Sequence, residues 1–178
     1  MIDEYLRDFA GAVRAAQCTP YRPDPLRYVI DAFLRAHDIG CKVMLVGNGG
    51  SAAIASHIAV DLSKNAGIRA TAFNDASALT CLANDYGYED VFRKQILYHG
   101  VHGDVLVAIS SSGKSPNILR AAETANNIMP VFTFSGFEAD NPLRKMGDLN
   151  FYVPSCSYGL VETAHQLLLH YVVDNARA

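Results

Sequence analysis

Three features of the chain predict an α/β fold, a parallel sheet covered by helices on both faces. Residues 42–46, 69–73, 105–109, 131–134 and 149–153 are short, nearly continuous apolar runs, the pattern of strands buried on both sides. The runs end in Gly, Ser, Asn or Asp turns, and amphipathic stretches at 51–64, 89–99, 115–127 and 159–176 alternate with them as helices. Such a sheet binds ligands at the carboxyl ends of its strands.

Two helices precede the sheet. Residues 2–16 place Tyr5, Leu6, Phe9 and Val13 at helical spacing, and the stretch from Thr19 and Pro20 to Pro23 breaks that helix. Residues 25–37 follow, with Leu26, Val29, Ile30, Phe33 and Leu34 on one apolar face. Residues 1–38 are thus a helical arm on a single domain spanning 1–178. There is no internal repeat or low-complexity tract.

Composition narrows the function. Half the residues are apolar and 19% are charged, as in an ordinary globular protein. A net charge of −3 offers no general attraction to nucleic acid or an anionic membrane, so any phosphate specificity is local. No apolar run approaches the roughly 20 residues of a membrane span, and the acidic, periodic N-terminus does not read as a signal peptide. Cys18, Cys41, Cys81 and Cys156 form no CxxC pair and read as free thiols of a cytoplasmic protein.

Two turns carry the chemistry. The first, Gly47-Asn48-Gly49-Gly50-Ser51-Ala52, links an apolar strand to a helix bearing His57 and Asp61 one turn apart. Backbone N–H groups and the helix dipole favour an anion there. The second, Ser110-Ser111-Ser112-Gly113-Lys114-Ser115-Pro116, offers hydroxyls and N–H groups, with Pro116 suited to the first helical position. It lacks the P-loop spacing and does not read as a nucleoside triphosphate site. Taken alone, its serines also fit a helix cap. The first turn fits a dinucleotide fingerprint too, with Asp75 in the place of a ribose-binding acid. The serine loop has no role in that scheme, which also needs a longer chain.

The last helix repeats Glu162, Gln166, His170 and Asp174 every four residues, with His165 beside them, on an otherwise apolar helix. This polar stripe is either a solvent face or the inward lining of a site. His57, Asp61, Glu162 and His170 together suit a divalent ion or proton transfer beside a carbonyl.

Four motifs then resemble the sugar isomerase (SIS) domain family, and within it the bacterial phosphoheptose isomerases. They are GNGGSAAIASH (47–57), LTCLANDYGYEDVFRKQ (79–95), GDVLVAISSSGKSPN (103–117) and ETAHQLLLH (162–170). The resemblance implies a three-layer, flavodoxin-like fold with a five-stranded parallel sheet, in a homotetramer with active sites where subunits meet. It implies that Asn48, Gly49, Gly50, Ser51, Asn74 and Asp75 contact the sugar. Ser110, Ser111, Ser112 and Ser115 would hold the phosphate. His57, Asp61, Glu162 and His170 would hold Zn²⁺. Asp61 or Glu162 would act as base, with His170 as partner acid or base. The implied reaction converts sedoheptulose 7-phosphate to D-glycero-manno-heptose 7-phosphate through an enediol.

The chain departs from the family at two of these positions. Asp61 stands where the family has glutamate, and Glu162 where it has glutamine. The pair reads as a charge-compensated swap, a changed substrate, or a lost activity. Residues 62–67 also form a shorter segment than usual, without the family's arginine. The non-enzyme alternative is a SIS-domain adaptor or a sugar-phosphate sensor. No basic patch or room for a helix-turn-helix module accompanies the sheet, so no nucleic-acid partner is expected.

Overall fold

The apolar runs assemble one sheet in the computed structural model, which describes residues 1–177. In chain order the elements are α1 (Ile2–Arg14), β1 (Gln17–Thr19), α2 (Pro25–Asp38), β2 (Val43–Gly47), α3 (Gly49–Asn65), β3 (Ala70–Ala72) and α4 (Ala76–Tyr86). Then come α5 (Val91–His99), β4 (Val105–Ser110), α6 (Pro116–Ala125), β5 (Val131–Gly136), β6 (Leu149–Val153) and α7 (Tyr158–Asn175). The strand order is β1-β6-β5-β4-β2-β3. Strands β2 to β6 run parallel in the flavodoxin-like order, and β2 and β4 flank the switch point from which the chain winds in opposite directions.

Alternation along each strand sorts the core into two layers. Val43 and Leu45 face one way, with Val107, Phe132 and Phe134, against Phe33 of α2, Ile58 of α3 and Val172 of α7. Met44 and Val46 face the other way, with Leu106 and Ala108, against Phe92 and Ile96 of α5 and Ile118 of α6. The five expected strands are all present.

Two elements differ from the sequence expectation. A sixth strand, β1, pairs antiparallel with β6, setting Gln17 opposite Tyr152 and Thr19 opposite Asn150. Three residues carry no period-2 signal, and the strand exists because the edge of β6 supplies its partner. Helix α4 lies where no helix was expected. Leu82 is its only fully buried residue, with Leu79 and Ala83 partly buried beside it, so its apolar stripe is short. Its start is set by the Asp75 carboxylate, which accepts from the Ala78 N–H at 2.9 Å. Among the described residues, no helix is long and apolar enough to cross a membrane.

Candidate functional site

At the switch point the turns after β2 and β4 meet the first turn of α7 around a cavity of about 280 Å³. Asn48, Gly49, Gly50, Ser51, Ser110, Ser111, Ser112, Ser115 and Glu162 line it, together with Ile109 and Tyr158. Nine residues named from the sequence therefore share one cleft. The helices that start there, α3, α6 and α7, have no side chain capping their first N–H groups. Of the helices that start elsewhere, α2 and α4 are capped by Asp24 and Asp75, while α1 and α5 also lack a side-chain cap. Uncapped helix starts that converge on one hydroxyl-lined cavity leave N–H donors free for an anion.

The local sequence explains the shape. Gly50 leaves room for the Glu162 carboxylate, which a Cβ there would push aside. Gly113 has φ +63° and presses against Asn141, so the serine loop turns back tightly. Asn48 and Asn117 exchange amide hydrogen bonds of 2.9 Å each, joining the glycine turn to the serine loop. The Tyr88 hydroxyl donates to Asn48 Oδ1 at 3.1 Å. Ser110 Oγ donates to Ser115 Oγ at 3.2 Å, whereas the buried Ser111 hydroxyl has no partner. Lys114 turns outward to Glu138 at 2.6 Å, and no described Lys or Arg lines the cavity. The donors this chain offers to the cavity are therefore neutral hydroxyl and N–H groups.

A second cluster lies further along the same two helices. His57 Nε2 is 3.3 Å and His170 Nδ1 is 3.7 Å from Asp61 Oδ2. One ligand atom from each of these three residues lies within 4.8 Å of the others, the donor set and spacing that a divalent ion takes. The other Asp61 oxygen accepts from Asn65 at 3.2 Å, and Gln166 faces His170 Nε2 at 3.4 Å. The structure thus brings together three of the four expected metal residues. Glu162 stands apart in the cavity, eight residues and about 12 Å of helix rise from His170.

Asn74 and Asp75, expected at the sugar, do not line the cleft. Asn74 Nδ2 donates to Ala52 O and Ser56 Oγ, both at 2.9 Å, and Asp75 caps α4. Tyr158, Tyr88 and Asn141 were not singled out from the sequence. Tyr88 acts on Asn48, 40 residues away, and Asn141 backs Gly113 of the serine loop, so no local pattern marks either.

His165 is fully buried on α7, with Nε2 3.1 Å from the Ser135 carbonyl and no partner for Nδ1. Burial lowers its pKa from 6.5 to about 4, offset in part by that bond. The unfolded chain therefore takes up this proton first as pH falls. Stability is intact above pH 6.5 and drops toward pH 4, by a few kcal/mol on the order-of-magnitude scale of such shifts. Urea midpoints between pH 7 and 4 should fall in the wild type, and less steeply in His165→Gln.

Comparison with known proteins places this geometry. The SIS domain family matches residues 4–134. A phosphoheptose isomerase of Burkholderia pseudomallei is 42% identical over 154 residues, covering 83% of this chain and 78% of the relative. One from Helicobacter pylori is 39% identical over 140 residues, covering 75% and 72%. The structure of phosphoheptose isomerase GmhA from Neisseria gonorrhoeae superimposes with a TM-score of 0.86 at 31% identity, covering 98% of this chain and 97% of that one. A phosphoheptose isomerase from Francisella tularensis gives 0.83 at 28% identity, covering 97% and 94%. With its switch-point cleft, its serine loop and these relatives, the chain belongs to the SIS domain family.

Proposed function

We propose that this protein is an aldose–ketose isomerase that converts sedoheptulose 7-phosphate to D-glycero-manno-heptose 7-phosphate. One observation carries the reading: a carboxylate, Glu162, shares a cavity with an uncharged anion cradle built from two helix starts and four serines. The relatives named phosphoheptose isomerase supply the sugar.

The serines and free N–H groups bind the phosphate, and binding energy at that remote end orients the reacting carbons. Asn48, Gly49, Gly50 and Ser51 form the sugar-side wall. Glu162 takes the proton from the carbon bearing the hydroxyl beside the carbonyl. The electron pair left behind forms the enediol double bond as the carbonyl oxygen gains a proton. Return of a proton to the other carbon completes the exchange of aldose and ketose. His170, with Asp61 fixing its Nδ1 side, lies about 12 Å of helix rise from Glu162, so as partner acid or base for the oxygens it would come from a second copy at the subunit contact. His57, Asp61 and His170 would hold a divalent ion, Zn²⁺ by donor type, which polarises the substrate oxygens when bound.

The cluster lies among exposed apolar side chains, Val60 on α3 and Leu167 and Tyr171 on α7. That setting supports burial by a second subunit and an active site at a subunit contact in a homotetramer. Four free cysteines fit a cytoplasmic enzyme.

The test is to incubate chelator-treated protein in D₂O with sedoheptulose 7-phosphate and other ketose phosphates, with and without Zn²⁺. Deuterium at the carbon beside the carbonyl, together with the aldose product, is the expected NMR result. Binding of the sugar phosphate without exchange under any condition would make the protein a sensor or adaptor instead.

A further inference from the structure

Glu162 and the serine loop belong to different elements, so something must set the distance between them. The peptide joining Ser135 to Gly136, at the end of β5, touches both. Its carbonyl accepts from His165 Nε2 on α7 at 3.1 Å. Its N–H donates to the Ser111 carbonyl of the serine loop at 2.9 Å. A Cβ on Gly136 would lie 2.7 Å from Val161 Cγ1 and 3.2 Å from Ser111 O. Val161 directly precedes Glu162 in the chain, and Ser111 lines the phosphate cradle. One peptide is thus wedged between the helix that carries the carboxylate and the loop that holds the anion.

The surroundings hold that peptide in place. Ser135 Oγ donates to Asn150 Oδ1 at 3.3 Å and accepts from Asn150 Nδ2 at 3.1 Å. Asn141 Nδ2 donates to Ser135 Oγ at 3.3 Å and to Gly136 O at 3.2 Å, and its side chain backs Gly113 of the serine loop. His165 is the one member of this buried network that comes from α7. Since the Ser135 carbonyl can only accept, the imidazole carries its proton on Nε2. Two hydrogen bonds on opposite ends of one peptide reinforce each other, so the His165 bond strengthens the bond to Ser111.

We propose that His165 is a positioning residue, which sets the separation between Glu162 and the phosphate loop through the Ser135–Gly136 peptide. The proposal rests on the isomerase reading for its catalytic readout but not for its binding or spectroscopic one. A misplacement of about 1 Å can cost on the order of a hundredfold in rate. Loss of the His165 donor therefore lowers turnover while leaving the serines able to bind phosphate.

The test compares His165→Leu, His165→Gln and Gly136→Ala with the wild type, each measured per folded molecule. His165→Leu and Gly136→Ala should lower kcat at least about tenfold, with affinity for inorganic phosphate within about twofold of wild type. His165→Gln keeps an N–H at the reach of Nε2 and should recover kcat to within about threefold. In ¹⁵N-histidine NMR, the wild type should show the Nε2–H tautomer at neutral pH and a shift of that resonance on adding phosphate. A purely structural role predicts lower thermal midpoints with unchanged kcat per folded site, and that result overturns the proposal. So does a His165 resonance indifferent to saturating phosphate. If wild-type protein shows no isomerisation, the isomerase reading fails by itself, and the NMR titration still decides whether His165 is coupled to the loop.

Discussion

Glu162→Gln should lower turnover by about 10²–10⁴-fold, the range that a positioned acid or base contributes. The same change should lower KM. On the proposed reading the cavity lined by Glu162 also receives the phosphate, so its carboxylate would oppose the incoming anion, and removing its charge would improve binding while removing the base. A fall in kcat with a fall in KM differs from the signature of lost substrate binding. Steady-state kinetics on sedoheptulose 7-phosphate, with Asp61→Asn in parallel, checks this. Near-normal turnover in Glu162→Gln, with loss in Asp61→Asn, would move the base to the histidine cluster.

Ser115→Asp should stabilise the protein and disable it. Ser115 caps no N–H of α6, so an aspartate there gains a cap hydrogen bond and a favourable dipole interaction, together about 1 kcal/mol. The thermal midpoint should rise by roughly 2–4 °C, the scale for a chain of this size. The new charge also lies in the lining of the anion cradle. Two unit charges about 4 Å apart repel by roughly 4 kcal/mol at a surface-like dielectric, so KM should rise at least about a hundredfold. A thermal melt and a KM measurement on one preparation test both signs. An unchanged KM would place the phosphate away from α6.

Much of this was readable in the sequence because the informative residues lie close together in the chain. The glycine turn at 47–52 and the serine loop at 110–116 each follow a buried strand, so alternation and turn chemistry locate them before any fold is known. Position beside the switch point then brings them together. Helix α4 escaped notice because its small residues bury little, and β1 because its pairing partner lies over a hundred residues away. Four-residue spacing put Glu162 and His170 on one face of α7, yet eight residues are two turns, and the two ends of that face serve different places. Asn74 ends in hydrogen bonds to α3 and Asp75 in a local cap, roles that their residue types fill as readily as sugar contacts. His165 looked like part of a polar stripe because its partner is the end of a strand 30 residues earlier.

The paired amides of Asn48 and Asn117 have a consequence for how tightly a ligand can be held. Each side chain satisfies the other, across 69 residues of chain. The glycine turn and the serine loop are therefore ordered relative to each other when the protein folds. A phosphosugar arriving at the cleft does not have to freeze them, and the conformational entropy lost on binding falls mainly on the ligand. Affinity can then come from neutral hydroxyls and peptide groups where other phosphate sites use lysine or arginine.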